Sequence, residues 1–106
     1  MQRKLIVYNK LVRDKIPNII KANGKQCNTI IVPREDLLGL LEVKLHEEVS
    51  EYLEAKDIEE LADIMEVVYG IADTLGYSEE ELAKKREEKK KERGGFKEGV
   101  FLKTVY

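Results

Sequence analysis

Two consecutive helical segments each carry carboxylates on the face that should be apolar, and few folds tolerate that. After Pro33, Leu37, Leu38, Leu41, Leu45 and Tyr52 recur at three- and four-residue spacing, the period of an amphipathic helix. With Leu41 as origin and about 100° per residue, Glu48 falls at about 340°, between Leu37 and Leu41, and Glu51 borders the stripe at about 280°. Glu47 lies on the polar side. On the next segment Glu60 falls between Val67 and Ile71, and Asp63 has the small neighbours Gly70 and Thr74. A carboxylate on an apolar stripe is costly unless it is neutralised, paired or bound to metal. Here there are two such i, i+3 pairs, Glu48/Glu51 and Glu60/Asp63, and each pair shares one helix face.

The junction near Ala55–Lys56 is too short for anything but an antiparallel hairpin. The pairs are mirror-placed about it, so folding sets Glu51 opposite Glu60 and Glu48 opposite Asp63. Four acids then converge, and a bound cation is the economical way to hold them together. All-oxygen ligands suit Mg²⁺, with Mn²⁺ as the other candidate. A di-iron site wants Glu-x-x-His pairs, and the single histidine, His46, lies away from the acids and is read as exposed. Each acid also has a plainer reading. Glu60 fits the capping-box partner of Asp57, Glu51 fits a lysine pair, and Glu47 fits an exposed acid.

The rest of the chain reads as one domain, residues 1–106. Asp14 to Pro17 has the form of a helix start, with Asp14 as cap. Asn23-Gly24 stops that helix. Asp57 to Glu60 and Ser78 to Glu81 form capping boxes, and Gly94-Gly95 ends the third long helix. Leu5–Tyr8, Thr29–Val32 and Val100–Tyr106 are strand candidates. The expected fold is therefore an all-α antiparallel helical bundle with minor short strands at the termini. The lone cysteine, Cys27, excludes an internal disulfide. No run reaches the roughly 20 apolar residues of a membrane span, and the N-terminal apolar stretch is short for a signal peptide. A cytoplasmic location and no membrane partner are the expectations.

Net charge is −2, but its distribution is ordered. Residues 1–25 hold seven Lys/Arg and one acid; residues 42–66 hold ten acids and two lysines; residues 84–93 hold seven bases and three acids. Such blocks are often just solvated faces. Read functionally, an acidic centre holds cations while basic flanks grip an anion. Basic blocks without aromatic stacking motifs do not suggest a stable nucleic-acid complex.

Glu47-Glu48-Val49-Ser50-Glu51 followed by Glu60-Leu61-Ala62-Asp63 resembles the EExxE…ExxD signature of the MazG-like all-α nucleoside triphosphate pyrophosphohydrolases. That superfamily includes phosphoribosyl-ATP pyrophosphohydrolase. Tyr8-Asn9-Lys10-Leu11-Val12-Arg13-Asp14-Lys15-Ile16-Pro17 resembles the N-terminal motif of a small branch read as house-cleaning enzymes, and Arg93-Gly94-Gly95-Phe96 is similar to its C-terminal motif. The three stretches span nearly the whole chain. Only eight residues separate Glu51 from Glu60, fewer than in many members, so no particular nucleotide is carried over.

The resemblance implies Mg²⁺ ligation by Glu48, Glu51, Glu60 and Asp63. It also implies cleavage of a nucleotide substrate between the α- and β-phosphates, giving a nucleoside monophosphate and pyrophosphate. Glu48 and Glu51 then count as catalytic residues, and Glu47 is a candidate base. Lys10, Arg13, Lys15, Lys90 and Arg93 are candidate phosphate contacts, with Arg93 equally suited to closing its own helix. The role of Glu66, one turn after Asp63, is open. Two other readings stand beside this one: phosphoribosyl-ATP hydrolysis in histidine synthesis, and a non-catalytic helical oligomer whose acids merely hold a structural cation.

The helix after Asp57 is apolar over an arc of about 200°, against somewhat over 100° for one packed layer. The charged third helix covers little of the surplus. A homodimer or homotetramer is expected, and the resemblance implies the same. Basic residues of one chain reaching phosphates at another chain's metal is then one arrangement to test.

Overall fold

Why α2 and α3 form, and where they stop, can be followed residue by residue in the computed structural model, which describes residues 5–106. Helix α1 spans Ile16–Ala22, α2 Arg34–Ala55, α3 Ile58–Thr74 and α4 Glu79–Arg93. Helix α2 follows Pro33 and carries Glu35 and Asp36 in its first turn, where negative charge meets the positive end of the helix dipole. It ends when Lys56 adopts the left-handed conformation, φ 54°. Asp57 then caps α3 by accepting a hydrogen bond from the Glu60 N–H at 3.0 Å. Two residues thus reverse the chain, and α2 and α3 pack as an antiparallel hairpin.

Gly76, at φ 92°, turns the chain out of α3. Ser78 and Glu81 form the expected capping box at the start of α4, and α4 packs back on α3. Among the described residues α1 packs closely on no other helix.

The described residues are all-α. The expected strands do not form: Leu5–Tyr8, Thr29–Val32 and Val100–Tyr106 run as irregular chain. Each has strand-like composition, but none meets another to exchange backbone hydrogen bonds, and an unpaired strand has nothing to hold it. Asp14 does not cap α1 either. The N-cap is Lys15, with no side-chain hydrogen bond, and Pro17 sits in the first turn.

The core is small. Leu41, Val67 and Ala72 are its only buried hydrophobic residues among those described, and no side chain is fully enclosed. Gly70 belongs to this contact. A Cβ there would stand 3.2 Å from Leu41 Cδ2, so the space beside Gly70 is used by Leu41 of α2. The small residue brings the two helices close at this level.

The molecule is long, with extents of 70 × 31 × 25 Å and a radius of gyration of 18.6 Å. A compact domain of this length has a radius of about 13 Å. Among the described residues no helix is long and apolar enough to cross a membrane.

Candidate metal centre

The helix-wheel position of Glu48 fixes its environment: it is 6% exposed, the only buried charged residue among those described. Its neighbours come from both helices. One carboxylate oxygen each of Glu48, Glu60 and Asp63 lie within 4.8 Å of one another, and so do one each of Glu47, Glu48 and Glu51. The four expected ligands, together with Glu47, therefore form two overlapping triads that share Glu48. Glu51, exposed, falls in the triad on α2, and the triad that joins α2 to α3 is Glu48, Glu60 and Asp63.

Two buried oxygens have no hydrogen-bond partner, Glu48 Oε2 and Glu60 Oε2. Buried polar atoms are nearly always satisfied. The capping reading of Glu60 accounts for its backbone N–H, which Asp57 accepts, but not for its side chain. Two orphaned carboxylate oxygens beside a third acid fit a hard divalent cation, which takes oxygen ligands.

The N-terminal segment brings cations to the same place. Arg13 Nη2 lies 2.6 Å from Asp63 Oδ1, and Lys10 Nζ 3.3 Å from Glu47 Oε1. Lys15 makes no such pair and stands at the start of α1. Lys90 and Arg93 lie in the last turn of α4 and make no ion pair with these acids among the described residues. Glu66 is exposed and joins neither triad. His46 is exposed, as expected.

Sequence reasoning passed over Lys44. Its Nζ lies 3.2 Å from Glu48 Oε1 and 3.4 Å from Glu47 Oε1. The signal was present: on the same wheel Lys44 falls at about 300°, between Glu51 and Glu48.

Burial, first of all, and then Glu51 beside it push the Glu48 carboxyl above the ordinary 4.5, although Lys44 pulls the other way. Burial also raises Glu60, with the charges of Glu51, Asp57, Asp63 and Glu48 adding to it. Glu47 is different: burial opposes its ionisation, but Lys10 and Lys44 outweigh burial and lower its pKa. Lys44 is raised, because Glu48 and Glu47 together overcome the cost of burying it.

A carboxyl whose pKa is raised on folding contributes stability below its unfolded value and loses it as pH rises through the folded value. Glu48 and Glu60 therefore weaken the metal-free fold at neutral pH. Thermal melts of wild type and Glu48→Gln in EDTA check this. Between about pH 4 and pH 7 the wild type is expected to lose ground to the variant.

Comparison of the chain with family models, with curated proteins and with solved structures returned no match.

Proposed function

We propose that this chain is a divalent-cation-dependent nucleotide pyrophosphohydrolase, which cleaves a nucleoside triphosphate or a related nucleotide between its α- and β-phosphates. The observation that carries the reading is Glu48, a buried acid with a free oxygen, clustered with Glu60 and Asp63 of the facing helix. The resemblance of the two acidic motifs and of the N-terminal motif to MazG-like enzymes supports the same conclusion. House-cleaning of non-standard nucleotides is the corresponding role.

In this reading Glu48, Glu60 and Asp63 hold Mg²⁺ or Mn²⁺, and Glu51 adds its charge from the exposed side. The chemistry such an ion supplies when bound is neutralisation of phosphate charge and activation of a water molecule. Arg13 and Lys10 then have two roles. Without substrate they pair with acids at the site; with substrate they turn to the phosphates, where fixed cations stabilise charge building on the phosphoryl oxygens. Glu47, kept ionised by Lys10 and Lys44, is the candidate base for the attacking water in this reading.

A panel of standard and modified nucleoside triphosphates with Mg²⁺, scored for monophosphate and pyrophosphate, tests the reading. Pyrophosphate release from a subset of the panel, abolished by EDTA, is the expected result. Phosphate release, or no turnover of any triphosphate or of phosphoribosyl-ATP, overturns it and leaves a non-catalytic cation-binding protein.

The same reading takes the working form to be a homodimer or homotetramer. The chain exposes 10294 Å², whereas a compact monomer of its mass exposes about 6100 Å². Leu61, Met65 and Leu75 on or beside α3 are each about half exposed or more. A standard interface buries only about 800 Å² per partner, so the excess is ample for a symmetric contact. Light scattering at micromolar concentration is expected to give a multiple of 12.3 kDa; a particle of monomer mass refutes the oligomer.

A further inference from the structure

The two overlapping triads do not stand in the same condition. At Glu48/Glu60/Asp63, Arg13 meets Asp63 Oδ1 at 2.6 Å from the exposed side, but two buried oxygens have no partner. At Glu47/Glu48/Glu51, two ammonium groups already face Glu47 and Glu48. Lys44 Nζ lies between Glu48 Oε1 at 3.2 Å and Glu47 Oε1 at 3.4 Å, and Lys10 Nζ is 3.3 Å from that same Glu47 oxygen. Two ammonium groups bring the two positive charges that one divalent ion would bring.

They also take up its ligand atoms. Mg²⁺ needs oxygens at about 2.0–2.1 Å, and Glu47 Oε1 and Glu48 Oε1 already face ammonium nitrogens. Lys44 is well fixed there. Its side chain is 16% exposed and that of Lys10 41%, and Lys44 issues from α2 itself, one turn before the acids it meets.

We propose that Lys44 is a built-in counter-ion that fills the Glu47/Glu48/Glu51 cluster, so that the chain takes one exchangeable divalent cation, at Glu48/Glu60/Asp63, and not two. By holding Glu48 Oε1, Lys44 also leaves Oε2 as the oxygen free for that cation. The inference rests on the cation site proposed above and adds a residue that sets its stoichiometry. Lys44 is a positioning residue in this account, since it acts on Glu48 and Glu47.

Manganese alone is the probe, titrated into EDTA-stripped full-length protein and followed by the electron paramagnetic resonance of free Mn²⁺ and by calorimetry. Wild type is expected to bind one Mn²⁺ per chain. Lys44→Met is expected to bind two, with a new spin-coupled signal from neighbouring ions, and Lys44→Arg one. Lys44→Gln, which keeps a polar group in the half-buried position, replaces Lys44→Met if that variant fails to fold, and is likewise expected to bind two. Two ions in the wild type, or one in a folded Lys44→Met or Lys44→Gln protein, overturns the inference while leaving the cation site standing. No ion in wild type and variant alike overturns the cation site itself.

Discussion

Glu48→Gln is expected to abolish pyrophosphohydrolysis while leaving the metal-free fold at least as stable as the parent at neutral pH. The activity side follows from the position of Glu48, shared by both triads. An acid that fixes a catalytic cation is asked for several kcal/mol of transition-state stabilisation, and each 1.36 kcal/mol is tenfold in rate, so the loss is about a thousandfold or more. The stability side follows from its burial. The side chain is buried and one oxygen has no partner, so an uncharged amide of nearly the same shape removes a charge that the interior resists. Lys44 keeps Glu47 as a partner. Thermal melts separate the two effects in one protein. With Mn²⁺ at about a hundred times its dissociation constant, linkage adds about 2.7 kcal/mol to wild type, or about 10–20 °C for a chain of this size. The variant is expected to show no such rise. A wild type whose midpoint ignores Mn²⁺, or a Glu48→Gln protein with normal turnover, refutes the role given to Glu48.

That Glu48 is buried could be read from the sequence, and so could the hairpin that sets it against α3. Both depend on local information: apolar spacing, the break at Ala55–Lys56, and Asp57 as cap. Gly76, Ser78 and Gly94 mark the end of α3 and both ends of α4 for the same reason. Strand formation depends on a partner elsewhere, which spacing within Thr29–Val32 or Val100–Tyr106 cannot reveal, and there the reading failed. The acids illustrate the same division. Mirror placement about the turn brought Glu48, Glu60 and Asp63 together. Glu51 groups with Glu47 and Glu48 on α2, and its charge still reaches Glu60 across the hairpin. Lys44 is harder to read, because a lysine among acids resembles any i, i+4 surface pair; its wheel position hints at the stripe, and its low exposure shows it.

Arg13→Ala is expected to lower kcat/KM by about 10- to 150-fold with cation binding intact, the loss that follows from removing a charge-assisted hydrogen bond of about 1.5–3 kcal/mol. Guanidinium is suited to this task, since its planar fork meets two phosphate oxygens at once. Arg13 already stands beside the acid cluster: its Nη2 lies 2.6 Å from Asp63 Oδ1. That pair contributes little to the fold. Both side chains are more than a third exposed, and ion pairs of that kind add about 1 kcal/mol at most. A large kinetic effect beside a small shift in melting temperature therefore identifies a substrate contact, whereas equal losses in both would mark Arg13 as structural. Mn²⁺ affinity is expected to hold or rise, because the substitution frees an oxygen of Asp63 that guanidinium now engages. Arg13 and Lys10 meet acids of their own chain, and under the proposed function each site is expected to draw its cations and its acids from one chain. Mixing inactive Glu48→Gln chains with impaired Arg13→Ala chains is accordingly expected to give no more activity than the Arg13→Ala protein alone. Recovery toward wild-type turnover would instead place the N-terminal segment of one chain over the acids of its partner.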